Sequence, residues 1–402
     1  MGKNVIWNTV GSLLYYFCQW VMTVLIYHMT EDFVIPGIFS LAMTLTNSFA
    51  TVILFGMRNY QISDTKGEYE DGTYIFSRMI SVAIACVLCL CLTIFGNYTT
   101  SQKICINLFM LIRISEGFAD VMHGVFQKNV RFDVIGKSYI LRAILSIAAF
   151  AGGFMITRNL PVTLGIMGVV NILCILLYDT RYVWKMTAGR VVVPGRKVFT
   201  LFASCFSVMI YNFLLNGVAT ITRNEMDALL GTEKYGIYAT ISAPAVVVQL
   251  MASFIFAPFV PFFARAYHDH DRKRYFRLLN TTTAVFAFMS AVVTVAVMVL
   301  GDWGLKLLFK EEILEYSYLL LPMIWCTLCV GAIWVYSGIL IALRKMKTIL
   351  AGMIISFGIC LVILRPCLLR FDMNGGNIVQ LISFGLYVIY LLAACYRAGK
   401  DF

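Results

Sequence analysis

The sequence predicts an all-α integral membrane protein of about twelve transmembrane helices, and three observations predict it. Of the 402 residues, 60% are hydrophobic and 13% are charged, and the mean hydropathy is +0.82. A soluble domain carries roughly 25% charged residues, so this chain has too little polar surface to coat a water-soluble globule. The apolar residues also come in blocks of about 20, the length that crosses ~30 Å of hydrocarbon at 1.5 Å per residue. Finally, these blocks do not alternate polar with apolar over about ten residues, as the strands of a membrane barrel would.

The blocks fall at 5–28, 36–57, 76–96, 104–127, 138–157, 162–180, 199–219, 235–262, 278–300, 317–343, 348–365 and 377–396. The first has only Lys3 before it and no small-residue cleavage pattern after it, so it is read as a retained helix and not as a signal peptide. The second opens at Pro36-Gly37-Ile38-Phe39-Ser40, and the eighth at Tyr235-Gly236-Ile237-Tyr238-Ala239. Both follow an acidic loop and begin a long block that ends at a basic one. This echo, together with the basic loop at 189–197 between the sixth and seventh blocks, divides the chain into an N-terminal six-helix lobe, 1–197, and a C-terminal one, 198–402. Repeats of six spans share one orientation, related by an axis along the membrane normal. The polar segments 58–75, 181–198, 220–234, 263–277 and 301–316 read as loops too short to fold alone. The eighth block also carries Pro244, Pro258 and Pro261, which mark bends.

The net charge of +11 invites a nucleic-acid reading, but its distribution argues for a membrane. With the N-terminus cytoplasmic, about 23 Lys and Arg fall in cytoplasmic segments and about 8 in outer ones, leaving Arg113 inside a span. That bias orients the spans, places both termini in the cytoplasm and assigns no nucleic-acid partner. The 12 cysteines lie mostly within spans. Even Cys86-x-x-Cys89-x-Cys91 and Cys326-x-x-Cys329 have no neighbouring His, so they read as small buried hydrophobes and no metal site is assigned.

Polar groups inside hydrocarbon are costly, which makes each one a functional candidate. Arg113, Glu116, Asp120, His123 and Gln127 fall at spacings of three and four on one face of the fourth block. Arg113 sits about nine residues inside it, ~13 Å from its outer boundary. The structural alternative is a self-satisfying Arg113–Glu116 pair one turn apart; a water-filled cavity accounts for the whole stripe. Uncharged stripes run along the first block (Asn4, Asn8, Ser12, Tyr15, Gln19), the second (Ser40, Thr44, Asn47, Thr51) and the eighth (Ser242, Gln249, Ser253). Such residues also serve as interhelical glue. His268 and His270 sit among Asp269 and Asp271 in what reads as a solvated loop. Phosphate-loop, H-E-x-x-H, G-x-S-x-G and T-V-G-Y-G patterns are absent from the sequence, leaving secondary transport as the class and no cofactor.

Arg113-Ile114-Ser115-Glu116-Gly117 through Gly124-Val125-Phe126-Gln127-Lys128, then Arg131-Phe132-Asp133-Val134-Ile135-Gly136-Lys137-Ser138, resembles the fourth span and following loop of bacterial polysaccharide exporters. Asn8-Thr9-Val10-Gly11-Ser12 and Gly56-Met57-Arg58-Asn59-Tyr60-Gln61-Ile62-Ser63-Asp64 are similar too. These exporters are the O-antigen and capsule repeat-unit flippases of the multidrug/oligosaccharidyl-lipid/polysaccharide superfamily. The resemblance covers the first half well and the second mainly in topology. It implies two six-helix lobes around a central cavity, in a bacterial inner or plasma membrane. The implied activity, not that of an enzyme, is flipping an undecaprenyl-diphosphate-linked oligosaccharide to the outer leaflet, alongside polysaccharide polymerase and glycosyltransferases of the same pathway.

A guanidinium grips phosphate bidentately, so Arg113 is the expected headgroup ligand. Asn8, Tyr15, Gln19, Asn47 and Gln249 are expected on the sugar, and Glu116 and Asp120 as sites for H⁺ or Na⁺ coupling. Membrane lipids are the remaining expected partners. The competing readings are a drug/cation antiporter of the same superfamily, a peptidoglycan-precursor flippase, and a membrane polymerase or ligase. The outer loops, about 5–17 residues long, are short for the last of these.

Overall fold

The computed structural model describes residues 2–63, 69–187, 195–256, 263, 266–267, 269–309, 311–343 and 345–400. Among the described residues the regular structure is entirely helical. The α-helices are α1 (Gly2–Met29), α2 (Val34–Leu54), α3 (Met57–Ser63), α4 (Asp71–Phe95), α5 (Thr100–Lys128), α6 (Phe132–Thr157) and α7 (Leu160–Cys174). A π turn (Ile175–Asp179) joins α7 to α8 (Thr180–Thr187). Then come α9 (Gly195–Leu230), α10 (Thr232–Phe256), α11 (Arg272–Leu308), a 3-10 segment (Glu311–Leu319), α12 (Leu320–Ala342), α13 (Met346–Phe371) and α14 (Met373–Ala398).

Ten of these stretches are long and apolar enough to cross a membrane, counting α7 through α8 as one and the 3-10 segment with α12 as another. The remaining two blocks correspond to α5 and α10, of 29 and 25 residues. Helix α5 carries Lys103, Arg113, Glu116, Asp120 and Lys128, which lowers its hydropathy without shortening it.

Local chemistry sets the boundaries. The start of α5 is a capping box: Thr99 Oγ1 accepts from the Gln102 amide at 3.3 Å, and Gln102 Oε1 accepts from the Thr99 amide at 2.9 Å. Asn159 caps α7 by accepting from the Val162 amide at 3.2 Å, with a proline in the first turn. Residues 220–234, expected as loop, are helical through Leu230. Hydropathy marks where apolar sequence stops, not where helix stops, and no breaker intervenes before Gly231. There φ turns to +92° and the amide donates back to the Asp227 carbonyl at 3.1 Å, a left-handed helix stop that glycine makes without strain.

The chain packs as two compact units, Met1–Asn216 and Gly217–Phe402, and the boundary between them falls inside α9; the sequence division at 197/198 falls near the start of that helix. In the first unit α1 lies along α6 and α5 is flanked by α2, α4 and α7. The α1–α6 crossing is backbone on backbone. A Cβ at Gly11 would collide with the Gly136 carbonyl, and one at Gly136 with the Trp7 backbone. Without a hydrophobic drive between helices in lipid, such small-residue contacts carry much of the association. In the second unit α14 packs on α12 and α13, and α10 on α12. Here Gly375 meets the Cys367 backbone, and Tyr238 Oη donates to Asn377 Oδ1 at 2.8 Å.

Candidate functional site

Within the first unit a narrow cleft opens between α1, α2, α5, α6 and α7. Its polar wall comes from Tyr15, Gln19, Arg113 and Glu116, and Phe39, Met43 and Phe109 are among its apolar residues. The helical repeat brings these groups together: Tyr15 and Gln19 are one turn apart on α1, and Arg113 and Glu116 are three residues apart on α5.

Glu116 is the hub. Its Oε2 accepts from Arg113 Nη1 at 2.7 Å, and its Oε1 accepts from Tyr15 Oη at 2.7 Å and Gln19 Nε2 at 2.9 Å. Arg113 also donates to the Met43 carbonyl at 3.4 Å, and its guanidinium lies 5.2 Å from the centroid of the Phe109 ring. Its Nε is buried with no hydrogen-bond partner among the described residues. The expected self-satisfying pair therefore forms, but as part of a larger set, and Glu116 is the more open partner, 20% exposed against 9% for Arg113.

Behind Tyr15 stands a second cation. Arg142 of α6 is 2% exposed. It donates through Nη2 to Tyr15 Oη at 3.3 Å and to Ser115 Oγ at 3.4 Å, and through Nε to Asn171 Oδ1 at 3.4 Å. Its guanidinium also lies over the Tyr15 ring, 5.1 Å from the centroid. Asn171 in turn donates to Ser146 Oγ at 2.8 Å. Tyr15 thus bridges a buried guanidinium and a half-buried carboxylate, accepting from one and donating to the other. Arg113 is consequently not the sole cation within the helices of this unit. Arg142 lies inside the predicted 138–157 block, and Arg78 inside 76–96; a charge count by loop hides both.

Two turns further along α5 from Arg113, Asp120 forms its own network. Its Oδ2 accepts from Arg78 Nη2 at 2.7 Å and its Oδ1 from Arg58 Nη1 at 3.4 Å, while Arg58 Nη2 reaches Gln127 Oε1 at 3.2 Å. Arg78, fully buried, also donates to the Ile53 carbonyl, to which Ser81 Oγ donates at 2.8 Å. That carbonyl is one of the last four of α2, which have no partner within their own helix. Phe55 and Gly56, at φ +51° and +69°, end α2 there. The sequence carries no signal for Arg78 beyond its position inside an apolar block.

His123, at the edge of the α5 stripe, turns toward α6 and the π turn. Its Nε2 is 3.2 Å from Ser138 Oγ and 3.4 Å from Asp179 Oδ1, and Ser138 Oγ donates to Asp179 Oδ2 at 2.9 Å. All three residues are buried. The predicted single face therefore serves three separate polar clusters.

The other expected sugar ligands sit apart from the cleft. Asn8 is half-buried on α1, two turns from Tyr15 beside the Gly136 crossing. Asn47 is exposed on α2, although Ser40 and Thr44 of its stripe are buried. Gln249 belongs to α10 in the second unit, and its side chain lies outside the described residues, as do those of Ser253, Pro258, Pro261 and His268. Pro244 is inside α10. All twelve cysteines are free thiols, and no cluster of three or more His, Cys, Asp or Glu suited to a metal ion occurs among the described residues.

No protein-family model matches the chain. A capsular polysaccharide biosynthesis protein of Staphylococcus aureus, CapF, is 23% identical over 360 residues, covering 87% of this chain and 86% of the relative. Among solved structures, the inward-facing conformation of a MATE-family multidrug resistance transporter of the MOP superfamily superimposes with a TM-score of 0.74 at 10% identity. That match covers 99% of this chain and 98% of the other. The Vibrio cholerae MATE transporter VcmN, in its bent form, superimposes with a TM-score of 0.63 at 11% identity over 99% of this chain and 97% of the other. The chain is a multi-pass helical membrane protein with the MATE-transporter fold.

Proposed function

We propose that this protein is a secondary transporter that flips an undecaprenyl-diphosphate-linked oligosaccharide from the cytoplasmic to the outer leaflet by alternating access, in the assembly of a cell-surface polysaccharide. One observation carries the reading: a cleft at helix depth holds Arg113 at its wall and Arg142 directly behind it, flanked by the hydrogen-bond donors of Tyr15 and Gln19. Two guanidiniums against one carboxylate leave the set with a net positive charge, which suits an anionic headgroup. The fold supports transport, and the capsule-biosynthesis relative supports a polysaccharide pathway.

In this reading Arg113 meets the diphosphate and Arg142 holds Tyr15 and the local field. Asn8, Asn47 and Gln249 are proposed for the sugar chain, outside the described cleft. Glu116 and Asp120 are proposed for H⁺ or Na⁺ coupling; each already neutralises an arginine, so an ion binding either one would loosen that pair. The location proposed is a bacterial inner membrane with both termini cytoplasmic, beside the polymerase and glycosyltransferases of the pathway.

The test is flipping of undecaprenyl-diphosphate oligosaccharides in proteoliposomes by the native chain, Arg113→Ala and Arg113→Lys. The native chain flips, Ala abolishes flipping while the protein stays folded, and Lys retains a fraction, because an ammonium keeps the charge but loses the bidentate geometry. A native chain that exports lipophilic cations and leaves every glycan lipid in place has the activity of a drug antiporter, and the proposal falls.

A further inference from the structure

We propose that Glu116 is a resident counter-anion, a carboxylate that occupies the place of the ligand's phosphate and so selects for ligands of higher charge. This rests on the reading of the cleft as an anion site. Arg113 Nη1, Tyr15 Oη and Gln19 Nε2 converge on one carboxylate at 2.7, 2.7 and 2.9 Å. Three donors from two helices around one oxyanion is the arrangement a phosphate group needs. Glu116 is the more exposed member of its ion pair and lines the cleft, so it is displaceable, whereas Arg113 and Tyr15 are buried behind it. An incoming anion takes these donors only by displacing a carboxylate already in contact with them. A singly charged anion gains little by the exchange. A diphosphate brings more charge and more acceptor oxygens, and it gains Arg113 Nε, which is buried and has no hydrogen-bond partner among the described residues.

The surroundings favour the exchange. The charged and titratable groups facing Glu116 or lining its cleft are Arg113 on its own helix, Tyr15, Tyr16 and Cys18 on α1, and Arg142 on α6. Helix α2 contributes a carbonyl and has no ionisable side chain, and α7 contributes Asn171. Displaced from these donors, the carboxylate stays in the field of Arg142 on its α6 side. An empty cleft therefore never presents a bare guanidinium to lipid, and an unloaded carrier needs no anion from solution.

The experiment is calorimetric titration of the purified, detergent-solubilised chain with inorganic phosphate, pyrophosphate and farnesyl diphosphate, comparing native protein, Glu116→Gln, Glu116→Ala, Glu116→Asp and Arg113→Ala. Thermal melts confirm the fold of each, and Ala replaces Gln in the comparison if Gln does not fold. The native chain is expected to prefer pyrophosphate to phosphate. Glu116→Gln tightens both at least tenfold and narrows the preference, Glu116→Asp restores it, and Arg113→Ala loses binding. Tighter binding of farnesyl diphosphate than of pyrophosphate identifies a lipid headgroup as the ligand; equal binding identifies the free anion. If Arg113 binds pyrophosphate in the native chain but Glu116→Gln leaves affinity and preference unchanged or weaker, the counter-anion role is overturned and the anion site stands. If neither native protein nor Glu116→Gln binds any phosphate, both fall together.

Discussion

Arg142 and Arg78 are long, ionised side chains with almost no water contact, and each is held by acceptors from other helices. Replacing Arg142 with Ala opens a cavity in which Asn171 Oδ1 loses its donor and Tyr15 and Ser115 each lose one contact. A buried polar group left without a partner costs about 1–3 kcal/mol, so a clear fall in melting temperature is expected, together with weaker pyrophosphate binding as Tyr15 loses its support. Arg78→Ala leaves Asp120 facing Arg58 alone at 3.4 Å, and breaking a buried pair in this way costs about 3–5 kcal/mol. The expected result is the larger loss of melting temperature with pyrophosphate affinity unchanged, because Arg78 belongs to a different cluster from the cleft. Thermal melts beside titration of the same preparations check both outcomes. At this scale the sequence was legible only where partners are close along the chain. Arg113 and Glu116 are one turn apart and their pairing was foreseeable. Arg142 and Tyr15 are 127 residues apart, and no local pattern records that they meet.

Helices were the most legible level, because a 20-residue apolar block in lipid has essentially one solution, an α-helix whose backbone bonds are all internal. What hydropathy missed was any helix that outruns its apolar block, as α9 does up to Gly231, and any break in α-geometry inside one, as in the π turn. Packing between helices depends on a few glycines that composition alone does not distinguish. Gly136→Leu drives a side chain into the backbone of α1. Overpacking costs typically about 1–3 kcal/mol where side chains can shift, and here backbone must shift, so loss of the folded first unit is expected. Gly152 and Gly358 have nothing among the described residues within 4 Å of a Cβ, and Ala there is expected to be neutral or to stabilise by about 1 kcal/mol. Melting the three variants side by side decides it; a tolerated Gly136→Leu defeats the crossing as described.

For the whole molecule, the twelve apolar blocks and the twelve long helices among the described residues agree, and an even number of crossings returns the chain to the side on which it began. Combined with the excess of Lys and Arg in alternate segments, this predicts that both termini are cytoplasmic. Reporter fusions to each end, one fluorescent only in the cytoplasm and one active only outside it, read the side directly; a C-terminal fusion active outside would remove one crossing from the count. The basic loop between two sets of six blocks suggests a division at 197/198, whereas the compact units divide between Asn216 and Gly217. That boundary was not legible, since it falls within one continuous helix, and contact between distant segments, not composition, sets it.

The π turn at Ile175–Asp179 ties the length of the chain to its chemistry. A π turn is an α-helix holding one residue too many, and each residue turns a helix by about 100°. Without the surplus residue, Asp179 would rotate away from Ser138 and His123, and Trp184, now 63% exposed on α8, would swing around the helix axis. The extra residue is useful only while a carboxylate at this position has a buried polar trio to complete. When relatives of this chain are aligned, a one-residue gap within 175–179 should therefore coincide with loss of histidine at the position of His123, so that the gap reports the chemistry of a different helix.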